Sequence, residues 1–581
     1  MKSKKHIIRR PTTSSSDLNC KLSPVLQQVY AARGALNDES LDYSLAKLHP
    51  ISALKGIDGA VQLLVQALLE KQHILIVADF DADGATSCAV GLRALRLMGA
   101  ARVSYLVPNR FEYGYGLTPE IVALAKQQLP DLIVTVDNGI SSIEGVNAAR
   151  AAGINVLVTD HHLPGDELPA ANAIVNPNQP DDHFPSKNLA GVGVIFYLML
   201  ALRLSLRESG WFTQQGIAEP NLTKLLDLVA LGTVADVVPL DHNNRILVSQ
   251  GLARIRNGAC CAGISALLDV AKRQPGNIVA SDLGFAVGPR LNAAGRLEDM
   301  SLGIECLLTD DPDAAKVLAR RLDEINRERR EIESEMQVQA LDCVANIKLD
   351  FNNKRAPVGL CLFDERWHQG VVGIVASRIK ERYHRPVIAF ALANAESAAE
   401  EGAEIKGSAR SIKGVHMRDL LDAIATRHPG LVTKFGGHAM AAGMTLKAVD
   451  LKVFEAAFNE ALHGCVDDEI LKDDIHSDGE LKDSELTLEL AEELRAAGPW
   501  GQAFPEPLFD GEFDVVQQRI VGEKHLKLLL QPKGSRSTID AIAFNHGKLA
   551  GDQLHAAYRL DVNEYQGRRT AQLMVEYIEP R

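Results

Sequence analysis

Aromatic residues are scarce in this chain, at 5%, and no apolar run reaches bilayer length. The most apolar run, 192–202, falls short of the roughly 20 residues that a spanning helix needs. It reads instead as a buried core helix. The opening, Met1 to Arg10, is basic, but no apolar stretch of signal-peptide length follows it. A cytoplasmic protein with no membrane partner is therefore expected. Cysteine is sparse too: there are eight, none in a C-x-x-C pair, and Cys260 and Cys261 are adjacent. Adjacent thiols suit neither a disulfide nor a zinc knuckle, so reduced and mostly buried thiols are expected. Positive charge is in deficit, with a formal net charge of −13. That balance argues against a nucleic-acid partner unless cations offset a local acidic cluster or a basic groove sits on an acidic body. No G-x-S-x-G follows a strand, which disfavours a serine hydrolase. No internal repeat of solenoid length is present.

With 581 residues the chain is too long for one compact core. Residues 1–48 read as a polar leader with a few short helical pieces. From about residue 60, apolar β-branched runs alternate with helical stretches. Strands are predicted over 74–78, 103–107, 132–136, 155–159 and 173–175, with helices over 85–98, 119–128 and 141–152 between the first four. Continuous apolar strands separated by helices indicate a parallel sheet covered on both faces. Helical material dominates 193–268. Residues 311–345 read as one long helix whose charges of both signs predict a solvated surface and a connector between two lobes. A second α/β segment follows over about 355–450, with strands at 358–363 and 387–390. After a polar stretch near 467–485 comes a β-rich tail that reads as a small barrel.

The informative pattern is acidic. Three of the predicted strands run directly into aspartate: Asp79-Phe80-Asp81-Ala82-Asp83-Gly84, Asp137-Asn138-Gly139 and Asp160-His161-His162. In an open parallel sheet the carboxyl ends of the strands form the ligand crevice, so these clusters are expected to converge on one sheet edge. Carboxylates crowded in that way need cations to neutralise them. Oxygen donors with one or two imidazoles suit Mn²⁺ or Mg²⁺, and two such ions are the usual machinery for cutting phosphate esters. The Asp-x-Asp-x-Asp-Gly run also opens a calcium-binding EF-hand loop. That loop needs glutamate at its twelfth position, where this chain has Val90, and a helix rather than a strand before it. Helix capping would explain Asp83 or Asp137 singly. It does not explain three acids at alternating positions or the adjacent histidines. A fourth acid, Asp236, ends Gly232-Thr233-Val234-Ala235-Asp236, which reads equally as an ordinary helix terminus.

In this order the four clusters resemble the motifs of the DHH phosphoesterases. Later runs narrow the resemblance to the bacterial RecJ family of single-stranded-DNA exonucleases: Gly288-Pro289-Arg290-Leu291-Asn292-Ala293-Ala294-Gly295-Arg296, Trp367-His368-Gln369-Gly370-Val371-Val372-Gly373-Ile374, Ser408-Ala409-Arg410-Ser411 and Gly436-Gly437-His438-Ala439. The likeness spans about residues 50–575. It implies an α/β protein: a parallel-sheet DHH lobe (49–300), a connecting helix (301–350), a second α/β lobe of DHHA1 type (351–460) and a C-terminal OB-fold-like β-barrel (461–581). It implies metal ligands at Asp79 or Asp81, Asp83, Asp137, His161 and Asp236 for two divalent cations, with Asp137 bridging. His162 would face the scissile phosphate, and Asp160 would hold a histidine in its tautomer. Arg110, Arg290, Arg296, Ser408, Arg410 and His438 would grip phosphate, Arg110 at a terminal 5′-phosphate. Tyr113, Tyr115 and Trp367 are candidates for base stacking, with packing the bland alternative. The implied reaction is 5′→3′ removal of 5′-mononucleotides from single strands, with the second lobe closing over the DNA. The implied setting is recombination and repair, with single-strand-binding protein and a RecQ-type helicase as partners. Two other readings compete. One is a superfamily member acting on a small phosphoester, for which the extra C-terminal domain is superfluous. The other is a non-catalytic DNA-binding scaffold, which would have lost ligands that here all stand.

Overall fold

A computed structural model describes residues 5–11, 18, 21–113, 115–349, 357–394, 402–467, 469–522, 524–547 and 549–580. The chain divides into two compact units, one of residues 9–326 with 477–581, the other of 1–8 with 327–476. Among the described residues no single helix is long and apolar enough to cross a membrane.

The first unit is built on a five-stranded, wholly parallel sheet in the spatial order Arg102–Leu106, His73–Ala78, Leu132–Val136, Asn155–Thr159, Ala173–Val175. Its two central strands are buried along their whole length, which is why they read as unbroken apolar runs. Successive side chains alternate between faces. Ile74, Ile76 and Ala78 enter the large core that also holds the helices Ile57–Leu69, Ala82–Leu97 and Gly191–Glu208. Leu75 and Val77 enter a smaller core with Ile121, Val122, Val146 and Ala149, from the helices Pro119–Lys126 and Ile143–Ala151. The apolar run 192–202 is a core helix, with Val192 through Met199 at most 1% exposed wherever the residue is hydrophobic.

The same unit contains a closed barrel of Phe509–Val521, His525–Pro532, Ile539–Ala543, Arg568–Pro580 and Gln553–Tyr565. Alternation along His525–Pro532 turns Leu526, Leu528 and Leu530 inward. Of the segment expected to be a polar leader, residues 21–48 are packed into this unit. Its helix Pro24–Ala31 buries Leu26, Val29 and Tyr30. The Tyr30 hydroxyl donates to the Ala497 carbonyl at 2.7 Å. Arg33 forms a forked pair with Asp478, both contacts 2.8 Å and both side chains 1% exposed, and its Nε donates to Pro505 O at 2.6 Å. Arg245 lies 4.2 Å over the Phe504 ring, and the Leu240 N–H donates to Gln502 O at 2.7 Å. The stretch leading into the barrel is thus stapled to both the N-terminal segment and the helical part of the sheet domain.

The second unit is a mixed sheet in the order Lys434–Gly437, Ala441–Lys447, Glu404–Arg410, Val387–Leu392, Leu360–Phe363. Only the last pair is parallel. Ile388, Phe390, Ile405, Phe454 and Phe458 fill its core. The strands over 434–447, rich in glycine, are not among those the sequence pattern predicts.

The long helix runs Pro312–Leu349, and its charges are not all solvated as expected. In the first unit Asp323 is buried against Arg290; in the second, Arg329 and Glu333 pair at 2.8 Å with each side chain 10% exposed.

Breaking a buried forked ion pair leaves an uncompensated charge, which costs about 3–5 kcal/mol. The variant Arg33→Ala is therefore expected to lose stability of that order, read as a lower urea midpoint. A shift within experimental error would show that the staple contributes nothing.

Candidate metal centre and phosphate-binding residues

Parallel strands deliver their carboxyl ends to one edge, and here the register is in step. Ala78 pairs with Val136, and Val136 with Thr159. The ladder extends one residue further: the Asp79 N–H reaches Val136 O at 3.3 Å, the Asp137 N–H reaches Thr159 O at 3.1 Å and the Asp160 N–H reaches Val175 O at 3.2 Å. Asp79, Asp137 and Asp160 therefore stand side by side, at the strand spacing of about 4.8 Å. Asp137 has a φ of 61°, a left-handed conformation that non-glycine residues rarely adopt and that clusters at functional sites.

The helix Ala82–Leu97 brings the next acid. Asp81 is its N-cap, with the carboxylate accepting from the Asp83 and Gly84 N–H groups at 2.9 and 3.1 Å. Asp83 lies in the first turn, fully buried. Its two oxygens accept from the Gly191 and Val192 N–H groups at 2.6 and 2.9 Å, the opening turn of the helix Gly191–Glu208, where donors and dipole favour an anion. This approach demands glycine. A Cβ on Gly191 would stand 2.7 Å from the Asp137 Cβ, and one on Gly232 would meet Thr86 Oγ1 at 2.2 Å and Asp83 Oδ1 at 2.9 Å. Gly232 lets the helix Leu226–Ala235 close in, and Asp236 is the C-cap of that helix.

The side chains converge on His161. Its Nε2 is 3.1 Å from Asp137 Oδ1, 3.4 Å from Asp236 Oδ2 and 4.0 Å from Asp83 Oδ2. Among the described residues three sets have mutually adjacent ligand atoms: Asp83, His161 and Asp236; Asp137, His161 and His162; Asp79, Asp81 and Asp137. Asp137 belongs to two of them. Its Oδ1 is buried and takes no hydrogen bond, although an imidazole nitrogen stands beside it. An acceptor buried without a donor is costly, and a cation between the two groups removes that cost.

Electrostatics separate two kinds of acid. Burial, then repulsion from Asp81, lifts Asp83 to about 7. Asp137 and Asp236 are pushed well above the carboxylate range by burial and by the neighbouring aspartates, Asp83 first among them. Asp160 behaves oppositely. Burial raises it, but the hydrogen bond and charge of His162 outweigh burial and hold it at about 2. Its Oδ1 is 2.7 Å from His162 Nδ1 and its Oδ2 accepts from the Ile140 N–H at 2.9 Å. Burial lowers His162, yet Asp160, then Asp79 and Asp81, carry it to about 9. Asp160 is thus engaged with His162 and backbone, while the remaining acids form a donor set rich in oxygen with one imidazole, which fits Mn²⁺ or Mg²⁺.

Tyr115 stands in the same place: its hydroxyl is 3.3 Å from the His162 ring nitrogens and donates to Asp137 O at 3.2 Å. The Gly288–Arg296 run serves the acidic loop in a way its sequence did not announce. Asn292 Oδ1 accepts from the Ala82 N–H at 2.8 Å. Gly295 presses on the loop so closely that a Cβ would lie 1.9 Å from Phe80 O. Arg290, expected to grip phosphate, is 8% exposed and held by Asp323 at 2.8 Å and by Ala286 O at 2.5 Å. Arg296 is half-buried on the same helix, Gly288–Leu297. Arg110 begins the short helix Arg110–Tyr113, and its side chain lies outside the described residues.

In the second unit, Ser408 and Arg410 share one face of their strand, and Arg410 Nη1 donates to Ser408 Oγ at 3.0 Å. A Cβ on Gly373 would meet both at 2.8 Å, which ties the Trp367–Ile374 run to this pair. His438 follows the strand Lys434–Gly437, its N–H donating to Ala441 O at 2.7 Å. Trp367 is 4% exposed and donates Nε1 to Gln339 at 2.9 Å, which is packing rather than stacking. Tyr113 packs against the smaller core of the first unit.

Comparison with known proteins agrees with this geometry. The sequence profile of the DHH family, N-terminal domain, matches residues 73–233, the DHHA1 domain 356–464 and the RecJ OB domain 477–577. The single-stranded-DNA-specific exonuclease RecJ of Dickeya dadantii is 55% identical over 578 residues, covering 99% of each chain. That of Escherichia coli is 53% identical over 585 residues, covering all of both. The crystal structure of RecJ in complex with Mn²⁺ from Thermus thermophilus superposes with a TM-score of 0.78 at 30% identity, over 97% of this chain and 76% of that one.

A methyl group at position 295 must push the Phe80 carbonyl aside. Overpacking of that kind costs about 1–3 kcal/mol, so Gly295→Ala is expected to lower the thermal midpoint accordingly. An unshifted midpoint would mean that the acidic loop yields freely.

Proposed function

The chain belongs to the RecJ family of DHH exonucleases, and on that premise we propose that it is a metal-dependent hydrolase of single-stranded DNA. It would release 5′-mononucleotides in the 5′→3′ direction. The observation that carries this reading is that Asp83, Asp137 and Asp236 all reach His161 while Asp79 and Asp81 reach Asp137, whose Oδ1 is buried without a hydrogen bond.

Asp79, Asp83, Asp137, His161 and Asp236 would hold two divalent cations, Mn²⁺ or Mg²⁺, with Asp137 shared between them. Bound there, the ions would supply Lewis acidity toward the scissile phosphate and its attacking water. Asp81 caps its helix and orients the loop that carries Asp79 and Asp83. His162, kept cationic by Asp160, would donate to a phosphate oxygen as charge builds there. Asp160 fixes the ring orientation through Nδ1. Arg296, Ser408, Arg410 and His438 would bind the phosphates of the strand, and Arg110 its 5′ end. Arg290 is assigned to stability instead.

A small phosphoester as substrate fits less well. The chain carries a closed barrel in the unit that holds the acids, and such barrels commonly bind unpaired strands. The reading extends to work in recombination and repair in the cytoplasm, beside single-strand-binding protein and a RecQ-type helicase.

Digestion of end-labelled single- and double-stranded DNA with Mn²⁺, with Mg²⁺ and with chelator tests the proposal. Mononucleotides are expected from the 5′ end of single strands only, and none with chelator. Cleavage that survives chelation overturns the reading. Asp137→Ala is expected to abolish cleavage and retain single-strand binding. Arg410→Ala is expected to weaken binding and reduce the slope of log affinity against log salt by about 0.7, the share of one phosphate on a single strand. An unchanged slope would give that arginine a structural role.

A further inference from the structure

The loop 176–190 contains none of the acidic motif residues, yet it holds the segment that bears the histidine pair. It leaves the strand Ala173–Val175 and ends at the helix whose first N–H groups hold Asp83. Ser186 Oγ donates to Asp241 Oδ2 at 2.6 Å, and Asn244 Nδ2 donates to Asn188 O at 2.6 Å, which anchors the loop just beyond Asp236. Lys187 closes it on itself, its ammonium donating to Pro177 O at 2.6 Å and to Asp182 O and Oδ1 at 2.8 Å.

Two asparagines of the loop reach the histidines. Asn178 Nδ2 donates to the His161 carbonyl at 2.6 Å and to the Lys187 carbonyl at 3.2 Å. Asn176 is fully buried and donates Nδ2 to the His162 carbonyl at 2.9 Å. Its Oδ1 accepts the Asn178 N–H at 2.7 Å, so the two amides form one unit. On the opposite side, Asp160 Oδ1 accepts the His161 and His162 N–H groups at 2.7 and 3.2 Å. All four backbone polar groups of the histidine pair are therefore taken. Each peptide is planar. Fixing both N–H and C=O at successive residues leaves ψ little freedom and aims each Cα–Cβ bond.

We propose that Asn178 and Asn176 are positioning residues with separate effects on the histidine pair. Asn178 places the His161 imidazole among the ligand carboxylates, and Asn176 places His162 for the substrate. This rests on the reading above, in which His161 binds metal and His162 does not. The amide is required because a donor must meet a backbone carbonyl. Aspartate has the same shape and lacks it.

Mn²⁺ binding by calorimetry on the full chain, and kcat on single-stranded DNA at saturating Mn²⁺, separate the roles. Asn178→Asp and Asn178→Ala are expected to lower Mn²⁺ affinity by about 10- to 100-fold, the usual effect of removing a partner one shell out from the metal. Their kcat should recover at saturating metal. Asn176→Asp keeps the acceptor for the Asn178 N–H, and is expected to lower kcat with unchanged Mn²⁺ affinity. Wild-type Mn²⁺ affinity in both Asn178 variants, with affinity lost in His161→Ala, overturns the proposal and spares the ligand assignment. Wild-type affinity in His161→Ala overturns the assignment itself. Equal losses of affinity in the Asn176 and Asn178 variants overturn the division of roles.

Discussion

Mutual repulsion among buried carboxylates is the constraint on which the rest of this structure turns. Asp83, Asp137 and Asp236 lie within reach of one imidazole, and each is driven upward in pKa by burial and by neighbouring aspartates. A protein that keeps such groups together must oppose their charge and prevent them from swinging apart. Opposition comes from the helix start at Gly191 and Val192 and from cations for which the donor set is suited. Restraint comes from close backbone contact, at Gly191, Gly232 and Gly295, where no side chain would fit.

Within this crowd one acid is set apart. Asp160 is surrounded by donors, accepting from three backbone N–H groups and from His162. Its charge is therefore settled without metal, and it can direct that charge at His162. Adjacent positions at one sheet edge thus acquire different chemistry from their hydrogen bonds, not from their residue type.

The sheet and its acidic edge were legible because both follow from local pattern. Apolar runs such as Ile74–Ala78 mark strands buried on both faces, and an aspartate straight after a strand lands at the crevice. Residues whose partners lie far off in sequence were not legible. Arg290 and Arg410 look alike in their motifs, but Asp323, 33 residues further on, claims the first. Asn292, Asn176 and Asn178 work through one or two side-chain hydrogen bonds to backbone, which leave no periodic trace. The amide pair stands in plain view as Asn-Pro-Asn after a strand, a turn signal that gives no hint of what it holds. The N-terminal segment looks like a leader because Leu26, Val29 and Tyr30 are few among polar neighbours, and their burial depends on a region near the other end of the chain.

That last contact has a consequence for synthesis. Arg33 and Asp478 are separated by 445 positions, so the arginine leaves the ribosome long before its carboxylate exists. At roughly 5–20 residues per second, about 20 to 90 seconds pass in which the helix Pro24–Ala31 has no barrel approach to dock against. The acidic edge is translated early in that interval. The nascent chain therefore carries its concentrated negative charge through most of elongation before its outermost fastening can be made.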